Sequence, residues 1–405
     1  MSIAKRTLGT KNQTLYNSKF ILVCLGSLFF SASYNMLIPE LPSYLSGLGG
    51  AEYIGLIIAL FTLTAGLSRP FSGKLTDTIG RKPVMLIGAL VCVVCGGLYP
   101  VLTSVYGFLL LRLFHGFSTG FTPTAASTFV SDVVPANRLG EAMGIQGIAF
   151  STGLALGPAL GSMIKLHFSF EVLFYSSSLM ALLATGLLMN LKETLMAKQT
   201  FRPQLLRISK ADILAKEAFP AAIITFLAYV AFGVILTLIP DWTGIVGFAN
   251  KGIFFVVFTL TSLLVRVVAG KLSDLYGRTK VILIGLLLLC AGLIMIGAWN
   301  VPTGFLAGAG VYGLGMGIVS PGINAWTIDL SKPGQKGKAI ATMFIALEAG
   351  IGLGALLSGW YYQEMPNRIP ITLYVSAGLS FLGILYLLFR AKRKTTKLNS
   401  QLPLI

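Results

Sequence analysis

The sequence predicts an all-α membrane protein of twelve transmembrane helices, arranged as two parallel six-helix halves. Three observations carry that prediction. Of the 405 residues, 55% are hydrophobic and only 11% are charged, with a mean hydropathy of +0.81; the bilayer, not water, is the solvent for such a composition. Apolar runs recur along nearly the whole chain, each near the ~20 residues a helix needs to cross the hydrocarbon core, and the alternating ~10-residue strands of a barrel are absent. The third observation is an internal repeat.

LSRPFSGKLTDTIGRKPVMLIG at Leu67–Gly88 is matched by LVRVVAGKLSDLYGRTKVILIG at Leu264–Gly285, 197 residues on and without a gap. The register persists: Gly116 maps to Gly313, Gly120 to Gly317, Asp132 to Asp329, Gly140 to Gly337, Gly153 to Gly350 and Gly157 to Gly354. Upstream, Ile38-Pro39-Glu40 resembles Ile239-Pro240-Asp241 at an offset of 201. Six helices are therefore followed by six of the same topology, parallel repeats about an axis along the membrane normal. The expected division is 1–191 for the first bundle, 192–216 for a linker and 217–405 for the second bundle with its basic tail.

The runs place spans at 20–45, 53–75, 83–103, 105–131, 139–165 and 168–190, then at 217–240, 250–273, 279–299, 302–328, 337–362 and 370–390. Pro39 and Pro42 close the first. The basic linker is expected to hold a short amphipathic segment on the membrane surface. With these spans, 25 of the 31 Lys and Arg fall on the face that carries both termini; Lys165, Lys251 and Arg368 fall on the other, and Arg69, Arg112 and Arg266 lie within spans. By the positive-inside rule both termini are cytoplasmic. The net charge of +17 is thereby explained by topology and anionic headgroups, and no nucleic-acid partner is expected.

Several apparent motifs fail in context. The basic-then-apolar start and Ser31-Ala32-Ser33 imitate a cleavable signal, but the apolar run continues past them and has a counterpart later in the chain. Cys24, Cys92, Cys95 and Cys290 all lie in apolar runs, so Cys92-Val93-Val94-Cys95 reads as packing and no disulfide framework is implied. Gly308–Gly313 fits a dinucleotide pattern literally but sits in a span, without the strand and the following acid that the chemistry needs. There is no phosphate loop, and the two histidines form no HExxH pair. Catalysis, a cofactor and a metal are not expected.

Each repeat carries an acid, a glycine turn and a base. Gly73 permits close helix approach, Asp77 sits at a helix end, Gly80 makes the turn, and Arg81 and Lys82 stand ready to pair with carboxylates. Gly270, Asp274, Gly277 and Arg278 repeat this. Asp132 is the expected partner of Arg81 and Asp329 of Arg278. Such pairs either latch the halves and release them, or form a static cap.

GKLTDTIGRK at Gly73–Lys82 and GKLSDLYGR at Gly270–Arg278 resemble the loop between the second and third helices of the major facilitator superfamily, once in each half, so the resemblance covers essentially the whole chain. RLFHG at Arg112–Gly116 resembles the fourth-helix arginine motif of proton-coupled members. GLALGPALG, with Gly153, Gly157, Pro158 and Gly161, resembles the fifth-helix motif of antiporters, and the second half has Ala355 where the first has Pro158. Pro158 is expected to kink its helix as a hinge, or the glycines serve packing alone. The resemblance to the drug:proton antiporter branch implies a monomeric secondary transporter of a bacterial inner membrane, working by alternating access and exporting drugs or amphiphilic metabolites against protons. Transport of a polar metabolite such as a sugar or metal chelator, in either direction, and a non-transporting receptor or scaffold remain open.

Ionisable groups inside a membrane are expensive and tend to be functional. Of the fourteen acids, Asp77, Asp132, Glu141, Glu193, Asp212, Glu217, Asp274 and Asp329 fall at the basic face and Glu52, Glu171 and Glu364 at the other. Glu40 and Asp241 lie near outer helix ends. Glu348, about twelve residues into the eleventh span, is the best candidate for proton coupling, because desolvation favours its protonated form and protonation can then alternate with access. A cationic solute could compete for the same carboxylate; a neutral, hydrogen-bonded carboxyl is the alternative. By resemblance Arg112 tunes a nearby proton site, and His115, one turn away, adds a group able to titrate near neutral pH or simply packs. Arg69 and Arg266 are expected to snorkel to headgroups or carboxylates. The resemblance puts the first, fourth, seventh and tenth spans around a substrate cavity, offering Phe30, Tyr34, Asn35, Phe121, Tyr229, Phe232, Tyr312, Asn324 and Trp326. Such an aromatic wall suits amphiphilic or weakly cationic compounds.

Overall fold

A computed structural model describes residues 15–38, 40–50, 53–209, 213–248, 253–299, 301–362 and 365–399, with side chains except at 42–43, 54–55, 159, 162, 240–241 and 391–399. Pro39, Glu52, Asp212, Lys251, Glu364 and the side chain of Asp241 lie outside the described residues. The described chain is helical: α1 (Ser18–Asn35), α2 (Leu41–Gly47), α3 (Ile54–Thr78), α4 (Arg81–Leu98), α5 (Val105–Val133), α6 (Leu139–His167) and α7 (Phe170–Met189), then α8 (Phe219–Ile245), α9 (Ile253–Tyr276), α10 (Arg278–Ala298), α11 (Pro302–Leu330), α12 (Lys336–Tyr362) and α13 (Arg368–Asn399). The expected 20–45 span is divided: α1 stops at Asn35, and the seven-residue α2 begins at Leu41. Proline at the start of α2 lacks the N–H that would continue a ladder, so it suits a first turn and not a helix interior.

Twelve of the described helices have 18 residues or more, and ten contain segments long and apolar enough to cross a membrane. The other two, α1 and α5, carry four and seven serines and threonines. Those hydroxyls donate back to their own helix, as Ser27 does to the Val23 carbonyl at 2.8 Å and Thr128 to that of Thr124 at 2.9 Å, which lets them sit in a dry interior. Large apolar side chains cover the outside; Leu67 and its repeat mate Leu264 are 65% and 78% exposed, as expected of a lipid-facing surface.

The packing follows the repeat. α3 packs on α5 and α9 on α11; α1 on α6 and α8 on α12; α4 on α7 and α10 on α13. Close approach is made by glycine: a Cβ at Gly157 would lie 2.9 Å from the Ala32 carbonyl oxygen of α1, and one at Gly350 would lie 2.8 Å from that of Phe226 on α8. α6 runs unbroken through Pro158, and the second half makes the same glycine contacts with Ala355 in place of the proline, so close packing does not need it. Each half has its own apolar core. Between the halves, α3 packs on α12 and α6 on α9.

From 191 to 209 the one helical feature of the linker is the 3₁₀ turn Pro203–Leu206. This stretch is stitched to the first half. Both oxygens of Glu193 accept N–H groups of α4, from Arg81 and Lys82 at 3.0 Å each, Gln199 donates to the Thr78 carbonyl at 2.8 Å, and Lys74 donates to that of Arg207 at 2.7 Å.

Replacing Gly354 by valine drives a branched side chain into the Val230 backbone of α8. Overpacking of this kind costs about 1–3 kcal/mol, so Gly354→Val is expected to lower the melting temperature of the purified protein in detergent, whereas the same change at Gly352, which has nothing within 4 Å, leaves it within error.

Candidate functional site

The end of the bundle that carries the basic loops is closed by two symmetric clamps. Asp77, in the last turn of α3, accepts the N–H groups of Gly337 and Lys338 at 2.9 Å each, the first turn of α12 in the other half. Asp274, its repeat mate on α9, accepts those of Gly140 and Glu141 at 2.9 and 3.0 Å, the first turn of α6. A carboxylate at a helix N-terminus satisfies orphan donors and complements the helix dipole, contributing up to ~2 kcal/mol when partly buried. The helices can come this close because Gly73 faces Gly337 and Gly270 faces Gly140.

Arg81 and Arg278 support the clamps without crossing between halves. Arg81 Nε meets Asp132 at 2.9 Å, while one Nη donates to the Thr76 carbonyl at 2.7 Å and lies 3.9 Å from Asp77. Arg278 pairs with Asp329 at 2.7 Å and with Asp274. The expectation that the Arg81–Asp132 and Arg278–Asp329 pairs latch the halves is thus corrected, since each pair stays within one half. At this end of the bundle, Lys336 to Asp132 at 2.8 Å and Lys271 to Glu141 at 3.5 Å are ion pairs that do cross. Lys271 is 55% exposed, and exposed pairs contribute ~0–1 kcal/mol, so the carboxylate clamps carry more. Lys82 donates to the Met189 carbonyl at 2.7 Å. Gly80 and Gly277, at φ 123° and 93°, form the turns before α4 and α10, a conformation a side chain would strain.

Above the clamps lies a cavity of about 360 Å³ between the halves. Residues of eight helices line it: α1, α3, α5, α6, α8, α9, α11 and α12. That corrects the expected four, because the second, fifth, eighth and eleventh long helices, which meet across the halves, also face it. Phe30, Tyr34, Tyr229, Phe232 and Asn324 are on its wall. Asn35, Phe121, Tyr312 and Trp326 are not: Asn35 donates to the Ser31 carbonyl at 2.7 Å, Phe121 packs against the first core, and Tyr312 and Trp326 belong to the second. Phe61 and Phe258, a repeat pair, are wall residues in addition.

Three charged residues face the cavity among its described lining: Arg69, Arg266 and Glu348. Of the two expected destinations, headgroups or carboxylates, Arg69 takes a carboxylate. Its side chain is 3% exposed and one Nη meets Glu348 Oε1 at 2.9 Å, an ion pair from α3 to α12 that joins the halves. The other Nη donates to Thr124 Oγ1 at 3.1 Å, and the guanidinium lies 4.3 Å from the centre of the Phe344 ring. Arg266 likewise turns into the cavity, its Nε donating to Ser262 Oγ at 3.3 Å. The 197-residue match of Arg69 with Arg266 was the signal that both belong to one site.

The remaining candidates lie elsewhere. Arg112 and His115 sit in a closed cluster in the first half: Arg112 Nε donates to the Ile57 carbonyl at 3.0 Å and lies over Phe61 at 4.5 Å, and the His115 ring nitrogens contact Tyr99 Oη at 3.2 Å and Cys92 Sγ at 3.3 Å. Neither lines the cavity. Glu40 precedes α2 as its N-terminal flank.

The model of the Major Facilitator Superfamily matches the chain twice, over residues 23–220 and 221–404. The chain is 26% identical to the "Multi-drug resistance efflux pump PmrA homolog" of Lactococcus lactis, over 67% of this chain and 70% of that one. It is 29% identical to "Multidrug resistance protein 2" of Bacillus subtilis, over 73% and 76%. Among solved structures it superposes on the human organic anion transporter MFSD10 (TETRAN) with a TM-score of 0.80 at 21% identity, covering 91% of this chain and 99% of that one. With both halves matched, and with the clamps and cavity set between them, the chain belongs to the Major Facilitator Superfamily and is a multi-pass membrane transporter, not an enzyme.

Proposed function

We propose that this transporter exports small amphiphilic solutes across a bacterial plasma membrane by alternating access, coupled to protons through Glu348. The observation that supports this most is the Arg69–Glu348 pair, which places the one carboxylate among the described lining residues in the cavity and on the junction between halves. On this reading 1–191 and 217–405 are the moving bodies, a monomer suffices, and the basic end faces the cytoplasm by the positive-inside rule. The clamps at Asp77 and Asp274 then shut the cytoplasmic side, as an outward-facing arrangement requires. A proton reaching Glu348 neutralises it and leaves Arg69 without its counter-charge. Removing one partner of a buried pair costs on the order of 3–5 kcal/mol, close to the ~5.5 kcal/mol that carries a two-state equilibrium from 1:99 to 99:1. Export rather than import is supported by the names of the efflux-pump relatives and by the Gly153–Gly161 motif, whose proline is confined to the first half.

Two measurements test this reading. In proteoliposomes, solute-dependent proton flux is expected from the wild type and is lost in Glu348→Gln; flux retained in the variant removes Glu348 from the coupling step. Asp77→Asn weakens the acceptor for two N–H groups across the junction, so labelling of a single cysteine placed at Ser127 by an impermeant maleimide from the basic side is expected to rise severalfold. Asp329→Asn, whose carboxylate is half-exposed and bonded within its own half, leaves it unchanged; equal labelling in all three proteins would remove the gate.

A further inference from the structure

The halves are copies, so on α3, α6, α9 and α12 a cavity position has a twin 197 positions away, and around the two arginines the twins are chemically unequal. Arg69 meets the Glu348 carboxylate and the Phe344 ring. For Arg266, the positions that correspond to Glu348 and Phe344 are Ser151 and Gly147 on α6. All six residues line the cavity. Where the first guanidinium finds a carboxylate and an aromatic face, the second finds a hydroxyl and a hydrogen atom. Gly147 is what gives Arg266 its room, since a Cβ there would lie 2.5 Å from a guanidinium nitrogen.

Arg266 bonds Ser262, and among the described residues no carboxylate stands within ion-pair distance of it. An arginine does not deprotonate, and a charge facing a low-dielectric cavity calls for a counter-charge. Counting Arg69, Arg266 and Glu348, the described lining carries a net charge of +1 with Glu348 ionised.

We propose that Arg266, with the space left by Gly147 and Ser151, is an anion subsite, and that the solute is an amphiphilic monoanion. Its carboxylate or sulfonate takes at Arg266 the place that Glu348 holds at Arg69. An aryl body lies against Tyr229, Phe232 and Phe258. This deepens the transport reading above and rests on it for the solute's passage, although binding can be measured alone.

The test is calorimetric titration of the full chain in detergent with 1-naphthaleneacetate, 1-naphthalenesulfonate, the uncharged 1-naphthaleneacetamide and the cation 1-naphthylmethylammonium. At least one of the two anions is expected to bind tenfold or more tighter than the amide and the ammonium. Arg266→Gln removes that preference and leaves amide affinity unchanged. Ser151→Glu, which keeps the arginine and supplies the missing carboxylate, does the same, and unchanged amide binding shows that each variant is folded. Amide or ammonium binding as tight as either anion, an anion preference that survives both substitutions, or no binding of either anion overturns the subsite. If lipophilic cations still drive proton flux through Glu348 in that event, the transport reading stands and only the anion subsite falls; anion binding at Arg266 with no flux for any compound removes the transport reading alone.

Discussion

The junction between the halves depends on carboxylates that complete helix ends they do not belong to. The first N–H groups of a helix have no partner within it. Asp77 and Asp274 supply those partners for α12 and α6 from the opposite half, so each half is locally incomplete until the two meet. The arrangement is also reversible. At the membrane surface water can replace the carboxylate on one side and the N–H groups on the other, so separation exchanges one set of hydrogen bonds for another.

The middle of the junction obeys a different rule. Arg69 is buried and Glu348 half-buried on the cavity wall. Separating two charges there is costly, and a proton is the smallest species that can change the balance. The two layers therefore divide the work: glycines and carboxylates hold the end of the bundle, and a charge pair holds its centre. The packing that carries both layers is built twice, with α3 on α12 mirrored by α9 on α6.

Most of the architecture was legible in the sequence because it rests on length and repetition. Apolar runs gave the helices, and the 197-residue register gave the second half from the first. The division of the first span was harder, since hydropathy continues past Asn35 while α1 ends there. The cavity wall was legible only in part. In a membrane helix both lipid and core are apolar, so periodicity does not tell which face is inside, and Tyr312 and Trp326 read like Tyr229 and Phe232. That Arg69 takes a carboxylate and not a headgroup was not legible for a related reason. α3 continues to Thr78, which sets Arg69 nine residues, about 13 Å, from its end, too deep for its head to reach the surface. The clamp role of Asp77 was hidden because its partners are backbone N–H groups, which leave no trace in residue identity.

The way the linker is fastened has a mechanical meaning. Residues 193–207 are bonded to α3 and α4, and the Ala215 N–H donates to Thr342 of α12 at 2.9 Å. The linker is thus fastened to one half near its start and to the other near its end, and most of its 25 residues by sequence are tied down rather than slack. A connection that would otherwise be a loose strap becomes a short leash between the halves.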